Sequence, residues 1–172
     1  MNAKDQEFRE FFQAEFRPLR RLGYLLTGDW SEAEDLAQEA MVRTYRAWGR
    51  ITERDRPGAY ARSILVNRRR SLLRRSAVAA KHAEMLKAPE YQPAMGEEAM
   101  VLWEAIRSLP QRQRAAIVLR FYEDMSEADV AAVLEMPVGT VKSLVHRGVG
   151  KLREKLGPGW QADGIQGGSD SP

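Results

Sequence analysis

Apolar residues recur along this chain at helical spacing, and no stretch shows the alternation of a strand. Over residues 6–26, Phe8, Phe11, Phe12, Phe16, Leu19, Leu22 and Leu26 form one stripe, which predicts a helix. Pro18 lies inside that stripe. Proline lacks an N–H and crowds the turn before it, so a break or kink is expected there. Thr27-Gly28-Asp29 closes the segment. A second helix is expected from Ser31, because Ser31 and Glu34 have the spacing of a capping box. Its buried stripe reads Ala33, Leu36, Ala37, Ala40, Met41, Thr44, Tyr45 and Trp48, with Gly49 as its stop. Residues 50–58 are polar and loop-like. Pro57 suits the first turn of a third helix, which carries Tyr60, Ile64, Leu65, Leu72 and Leu73 with arginines between them.

Periodicity fades over residues 76–96, where Pro89, Pro93 and Gly96 mark a linker, with Ala77 to Leu86 partly helical. It returns near Glu97 with Met100, Val101, Trp103, Ala105, Ile106 and Leu109. Pro110 ends that helix, and Ala115, Ala116, Ile117, Leu119 and Phe121 make the next. Ser126 to Leu156 then reads as a helix-turn-helix. Ser126 caps its first helix and Asp129 answers it; Val130, Ala131, Val133 and Leu134 follow at helical spacing. Met136-Pro137 stops that helix. The second helix shows Val138, Val141, Val145, Val149 and Leu152 on one face and Lys142, Ser143, His146 and Arg147 on the other. A helix apolar on one side and basic on the other, braced by a short partner, has the shape that enters a DNA major groove.

The expected fold class is all-α: two small helical domains joined by a flexible linker. The expected boundaries are 1–76, a linker over 77–96, 97–156, and a disordered tail over 157–172 rich in Gly, Ser and Pro. Domains of this size bury only about 60% of their chain's surface, which favours a protein working inside a complex.

Charge sharpens this picture. The net charge of +3 over 172 residues hides a strong asymmetry. Asp29 to Glu39 holds five acids and no Lys or Arg, whereas Arg54 to Arg75 holds eight arginines and the single acid Asp55. Two oppositely charged surfaces point to two partners, although solvated helix faces give the same pattern. Cysteine is absent, which removes a disulfide framework and thiol chemistry and suits a reducing cytosol. Lys4, Asp5, Glu7 and Arg9 argue against a signal peptide, and no apolar run approaches the roughly 18 residues of a membrane span. His82 and His146 are the only histidines and lie in no ligand cluster, so no metal and no cofactor are expected. No nucleophile–base pair or phosphate-binding glycine loop stands out, so an enzyme is not expected.

Three segments together carry a resemblance. Asp35-Leu36-Ala37-Gln38-Glu39-Ala40 resembles the polymerase-binding helix of sigma factors. Tyr60 to Arg68, followed by Arg69 and Arg70, resembles their promoter-melting helix. Leu109-Pro110, Arg114-Ala115 and Pro137 to Ser143 resemble their C-terminal domain. Order and spacing, over about residues 6–156, are similar to the extracytoplasmic-function sigma factors of the sigma-70 family.

The resemblance implies a cytoplasmic transcription initiation factor that binds core RNA polymerase and promoter DNA. It also implies an anti-sigma factor as partner and no membrane insertion. By this likeness Asp35, Gln38, Glu39, Val42 and Arg43 meet the polymerase. Tyr60, Arg62, Asn67, Arg68, Arg69 and Arg70 meet the −10 element, with Asn67 at a flipped-base pocket and the arginines on phosphates. Core packing is favoured over stacking for Tyr60. Thr140, Lys142, Ser143, His146 and Arg147 meet the −35 duplex, Thr140 through its hydroxyl and the helix N-terminus. Three residues depart from the pattern. Leu144 and Val149 stand where relatives commonly carry Arg, which implies fewer phosphate contacts. Glu135 stands in a turn where many relatives carry Gly.

Two other readings compete: a helix-turn-helix regulator acting without polymerase, and a helical adaptor with vestigial DNA contacts. The first needs a dimer on paired half-sites and leaves the acidic and arginine-rich segments unexplained. Leu144 and Val149 favour the second.

Overall fold

The structure, a computed structural model, describes residues 3–51, 56–76 and 96–165. Among these residues the regular elements are all helical, and the chain divides into two compact units, Met1–Tyr91 and Gln92–Pro172. The all-α, two-unit architecture agrees with the periodicity. The expected linker, 77–96, and the helix expected within it lie outside the described residues except for Gly96.

In the first unit, α1 (Ala3–Thr27) packs along α2 (Trp30–Ala47), and α3 (Pro57–Ser76) packs across both. The expected break at Pro18 does not occur: α1 runs through it. The next residues explain why. Leu19, Leu22, Tyr24 and Leu26 are buried, so tertiary packing holds the helix across the one missing backbone hydrogen bond. The start of α2 also differs from expectation. Its cap is Asp29, not Ser31: the Asp29 carboxylate accepts from the Glu32 N–H at 2.9 Å. Gly28 (φ 74°) turns the chain there, and the Thr27 hydroxyl accepts from the Asp29 N–H. The core of this unit is Leu19, Leu22, Leu36, Ala37, Ala40, Met41, Ala61, Leu65 and Val66.

Two tyrosines expected inside lie outside. Tyr45 stands at the end of α2, where its ring meets Phe8 edge-on at 4.9 Å and its hydroxyl donates to Asp5 at 2.8 Å. Tyr60 is 39% exposed, because Ala61, Leu65 and Val66 turn the other side of α3 inward.

In the second unit, α4 (Glu97–Arg107) precedes α5 (Gln111–Ile117), which runs on into a π-helical turn at Val118–Tyr122. α6 (Glu127–Leu134) and α7 (Val138–Leu156) complete it. Leu109 and Pro110 form the α4–α5 corner. Arg114 reaches back over it and donates to the carbonyls of Arg107 (2.5 Å) and Leu109 (3.2 Å). These groups at the end of α4 have no onward helical partner, so Arg114 acts as a C-terminal cap. Ser126 caps α6 as expected, accepting from the Asp129 N–H at 3.0 Å and donating to its carboxylate at 2.7 Å. Glu135 takes the left-handed conformation (φ 50°) that the turn demands, so the turn is kept without Gly.

The expected tail disorder needs correction over its first part. Trp160 N–H bonds the Gly157 carbonyl, a short 3₁₀ turn spans Ala162–Gly164, and Ile165 is buried. Residues 166–172 lie outside the described residues.

Candidate nucleic-acid interface

α7 presents the first candidate surface. Its buried residues are Val141, Leu144, Gly148 and Leu152. The valine stripe expected to face inward is therefore only partly buried: Val138 is exposed, and Val145 and Val149 are intermediate. The inward face is centred on Gly148. A Cβ there would stand 2.8 Å from Ile117 Cγ1, so glycine is what lets α7 lie close on α5. Leu144 is a core residue, 6% exposed. It is no gap in a basic face, and the argument it gave for an adaptor falls away.

Lys142, Ser143, His146 and Arg147 are all exposed, and Thr140 is half-buried one turn earlier. Their contacts are slight. Lys142 Nζ lies 3.9 Å from Glu127, the Ser143 hydroxyl donates to Gly139 O, and Arg147 Nε donates to Ser143 O of the same helix. Pro137 at the N-cap gives α7 no side-chain cap, so the first-turn amides beside Thr140 have no side-chain acceptor.

α3 carries the second surface, and here the structure divides the predicted residues. A helix advances about 100° per residue, so Arg62 and Arg69, seven apart, share a face. That face is the inward one, with Ala61, Leu65 and Val66. Arg62 Nη2 pairs with Glu15 of α1 at 3.0 Å, and Arg69 Nη1 with Glu32 of α2. Arg68 stands at the edge, its Nε donating to Glu39 at 2.8 Å. Tyr60, Asn67 and Arg70 fall on the opposite, outward side, with Ser63 between them. Asn67 is half-buried, and its amide oxygen is enclosed without a partner among the described residues. Beside Tyr60 lies a recess of about 630 Å³, lined by Ala47, Arg50, Ile51, Ala59, Tyr60 and Ser63.

On α2, Asp35, Gln38, Val42 and Arg43 are exposed, with Val42 at 49%. Glu39 is half-buried between two arginines, Arg43 at 2.6 Å and Arg68 at 2.8 Å. Sequence reasoning missed Glu15 and Glu32 as partners of the arginine run, and Arg50 and Ser63 as lining of the recess. Among the described residues no helix is long and apolar enough to cross a membrane.

Comparison with known proteins matches both units to one family. The profile of Sigma-70 region 2 matches residues 11–78, and that of Sigma-70, region 4 matches residues 99–152. The RNA polymerase sigma-E factor of Streptomyces coelicolor is 34% identical over 152 residues, covering 87% of this chain and 86% of that protein. The ECF RNA polymerase sigma factor SigW of Bacillus subtilis is 27% identical over 152 residues, covering 79% of this chain and 81% of that protein. Among solved structures, the sigma factor RpoE of Bartonella quintana, crystallised with the anti-sigma factor NepR, superposes with a TM-score of 0.73. That match has 25% identity and covers 88% of this chain and 97% of that one. The chain belongs to the extracytoplasmic-function branch of the sigma-70 family of RNA polymerase sigma factors.

Proposed function

We propose that this chain is a promoter-specificity subunit that docks on core RNA polymerase, holds a −35 duplex and captures an opened −10 strand. The observation that carries the reading is the pair of outward polar faces, on α3 and α7, backed by apolar cores. α7 reads duplex DNA with Lys142, Ser143, His146 and Arg147, and the uncapped amides near Thr140 receive a phosphate. α3 meets the strand with Tyr60, Asn67, Arg68 and Arg70. The recess beside Tyr60 has the size of a small-ligand pocket and takes an extruded base. Asn67, whose amide group can both donate and accept, pairs with a base edge. Asp35, Gln38, Glu39, Val42 and Arg43 on α2 form the polymerase-docking face. Acidic groups around an exposed Val42 suit a partner of basic and apolar character.

The subunit carries out no chemistry of its own in this reading and works in the cytoplasm beside the polymerase. Strand opening is driven by trapping unstacked bases. Because RpoE of Bartonella quintana was crystallised with an anti-sigma factor, an inhibitor of that kind is proposed here too. The test is co-elution of the chain with core polymerase, followed by run-off transcription from candidate promoters. Promoter-dependent transcripts support the reading. Binding to duplex as a dimer, with no association with core polymerase, refutes it.

A further inference from the structure

We infer that Arg62 and Arg69 are positioning residues: with Glu15 and Glu32 they fix the roll of α3, and of the three arginines paired to neighbouring helices only Arg68 is left for a strand phosphate. This rests on the strand-capture reading above and refines which side chains perform it. The three arginines look equivalent in sequence, but three observations separate them.

The first is direction. Arg62 and Arg69 leave α3 on its buried side, whereas Arg68 leaves about 100° away, at the edge. The second is how each guanidinium is used. Arg69 pairs through a terminal nitrogen, its Nε is enclosed, and its side chain is only 17% exposed. Arg68 pairs through Nε, and among the described residues both terminal nitrogens have no hydrogen bond, so they form an open donor edge. That edge is the part of a guanidinium that grips a phosphate in bidentate fashion.

The third observation concerns what is left behind. If Arg62 or Arg69 swung to a strand, Glu15 or Glu32 would lose its only basic partner among the described residues. If Arg68 moves, Glu39 keeps Arg43 at 2.6 Å. The first turn of α3 is also built around the Arg62–Glu15 pair. A Cβ at Gly58 would stand 2.7 Å from Arg62 Nη1 and 3.3 Å from Glu15 Oε2. The two braces tie α3 to α1 at one end and to α2 further along, so rotation of the helix about its axis is blocked. Tyr60 and Asn67 are thereby held on the outward side.

The experiment measures binding of the full-length chain to a fluorescent single-stranded dT oligonucleotide over a series of salt concentrations, well below the melting temperature. One phosphate contact on a single strand contributes about 0.7 to the log–log salt slope. Arg68→Ala should flatten the slope by about that amount. Arg62→Ala and Arg69→Ala should leave the slope at the wild-type value while lowering affinity several-fold, because α3 rolls. The exchanged pair Glu32→Arg with Arg69→Glu should restore affinity, and it tests the inference even if Arg69→Ala folds poorly. A slope flattened by Arg62→Ala, Arg69→Ala or the exchanged pair as much as by Arg68→Ala overturns the inference. So does an Arg69→Ala chain that keeps both affinity and slope. A wild-type chain with no salt-dependent binding to the strand defeats the strand-capture reading itself.

Discussion

α3 and α7 both set cations beside an apolar face, yet they hold those cations in different ways. In α3, Arg62, Arg68 and Arg69 each reach a carboxylate on a neighbouring helix, at side-chain exposures of 17–29%. In α7, Lys142 approaches Glu127 only at 3.9 Å, and the Arg147 contact is to its own helix. Exposed pairs of the α7 kind contribute about 0–1 kcal/mol, so meeting a phosphate costs them little. Arg62 and Arg69 are partly withdrawn from water and serve the fold. On the proposed reading, α7 is ready for duplex DNA on first encounter, whereas α3 offers a shaped surface with few loose cations. Counting basic residues therefore overstates the DNA-binding capacity of α3 relative to α7.

The largest test of the comparison is Leu144→Arg. If the position belonged to the basic face of α7, an arginine would strengthen duplex binding. At 6% exposure it is core, and an unpaired buried charge costs about 3–5 kcal/mol. Thermal unfolding should show the second unit melting far below its wild-type temperature. Val149→Arg, at a half-buried position, should fold and bind duplex more tightly. Equal stability of the two variants contradicts the assignment of α7's inward face.

A smaller effect is expected from Arg69→Ala. Losing a partly buried pair and leaving Glu32 alone should cost about 1–2 kcal/mol, between the values for exposed and buried ion pairs. Arg147→Ala on α7 should leave the unfolding free energy within about 0.5 kcal/mol of wild type. It should also flatten the duplex salt slope by about 0.9. Denaturant melts and salt titrations of both variants check the contrast. Equal destabilisation by the two would erase it.

Most of the helices were legible in the sequence because their apolar residues are periodic and their stops are Gly and Pro. What was not legible is instructive. Asp29-x-x-Glu32 and Ser31-x-x-Glu34 are overlapping cap patterns, and the turn made by Thr27 and Gly28 selects the first. Pro18 breaks helices locally, but burial of Leu19 and Leu22 outweighs the loss. Valines drew attention to one side of α7, whereas Gly148 marks the centre of the buried side and carries no hydrophobic signal. The α3 ion pairs join residues 37 and 29 positions apart for Arg69 and Arg68, and no local pattern encodes such pairs. Hence the candidate surface on α7 was almost fully visible in sequence, and that on α3 was visible only as a list of arginines. The division of that list needed the neighbouring helices.

The finest test of the comparison concerns Tyr45, which extends the contrast to an uncharged group. The first unit pairs several of its polar side chains across helices, and the Tyr45 hydroxyl donates to Asp5 at 2.8 Å. That hydrogen bond, with the nearby carboxylate charge and slight desolvation adding to it, raises the phenol above its ordinary value of 10.0. The protonated phenol is thus favoured in the folded chain. Its contribution to stability is fully present below the unfolded tyrosine value and is lost as pH rises through the folded one. Ultraviolet difference titration should show one tyrosine ionising late in the wild-type chain, and Asp5→Asn should bring it earlier by removing the charge. If Asp5→Asn leaves the titration curve unchanged, the ring is solvated on its own. The internal satisfaction that distinguishes the first unit would then stop at its ion pairs.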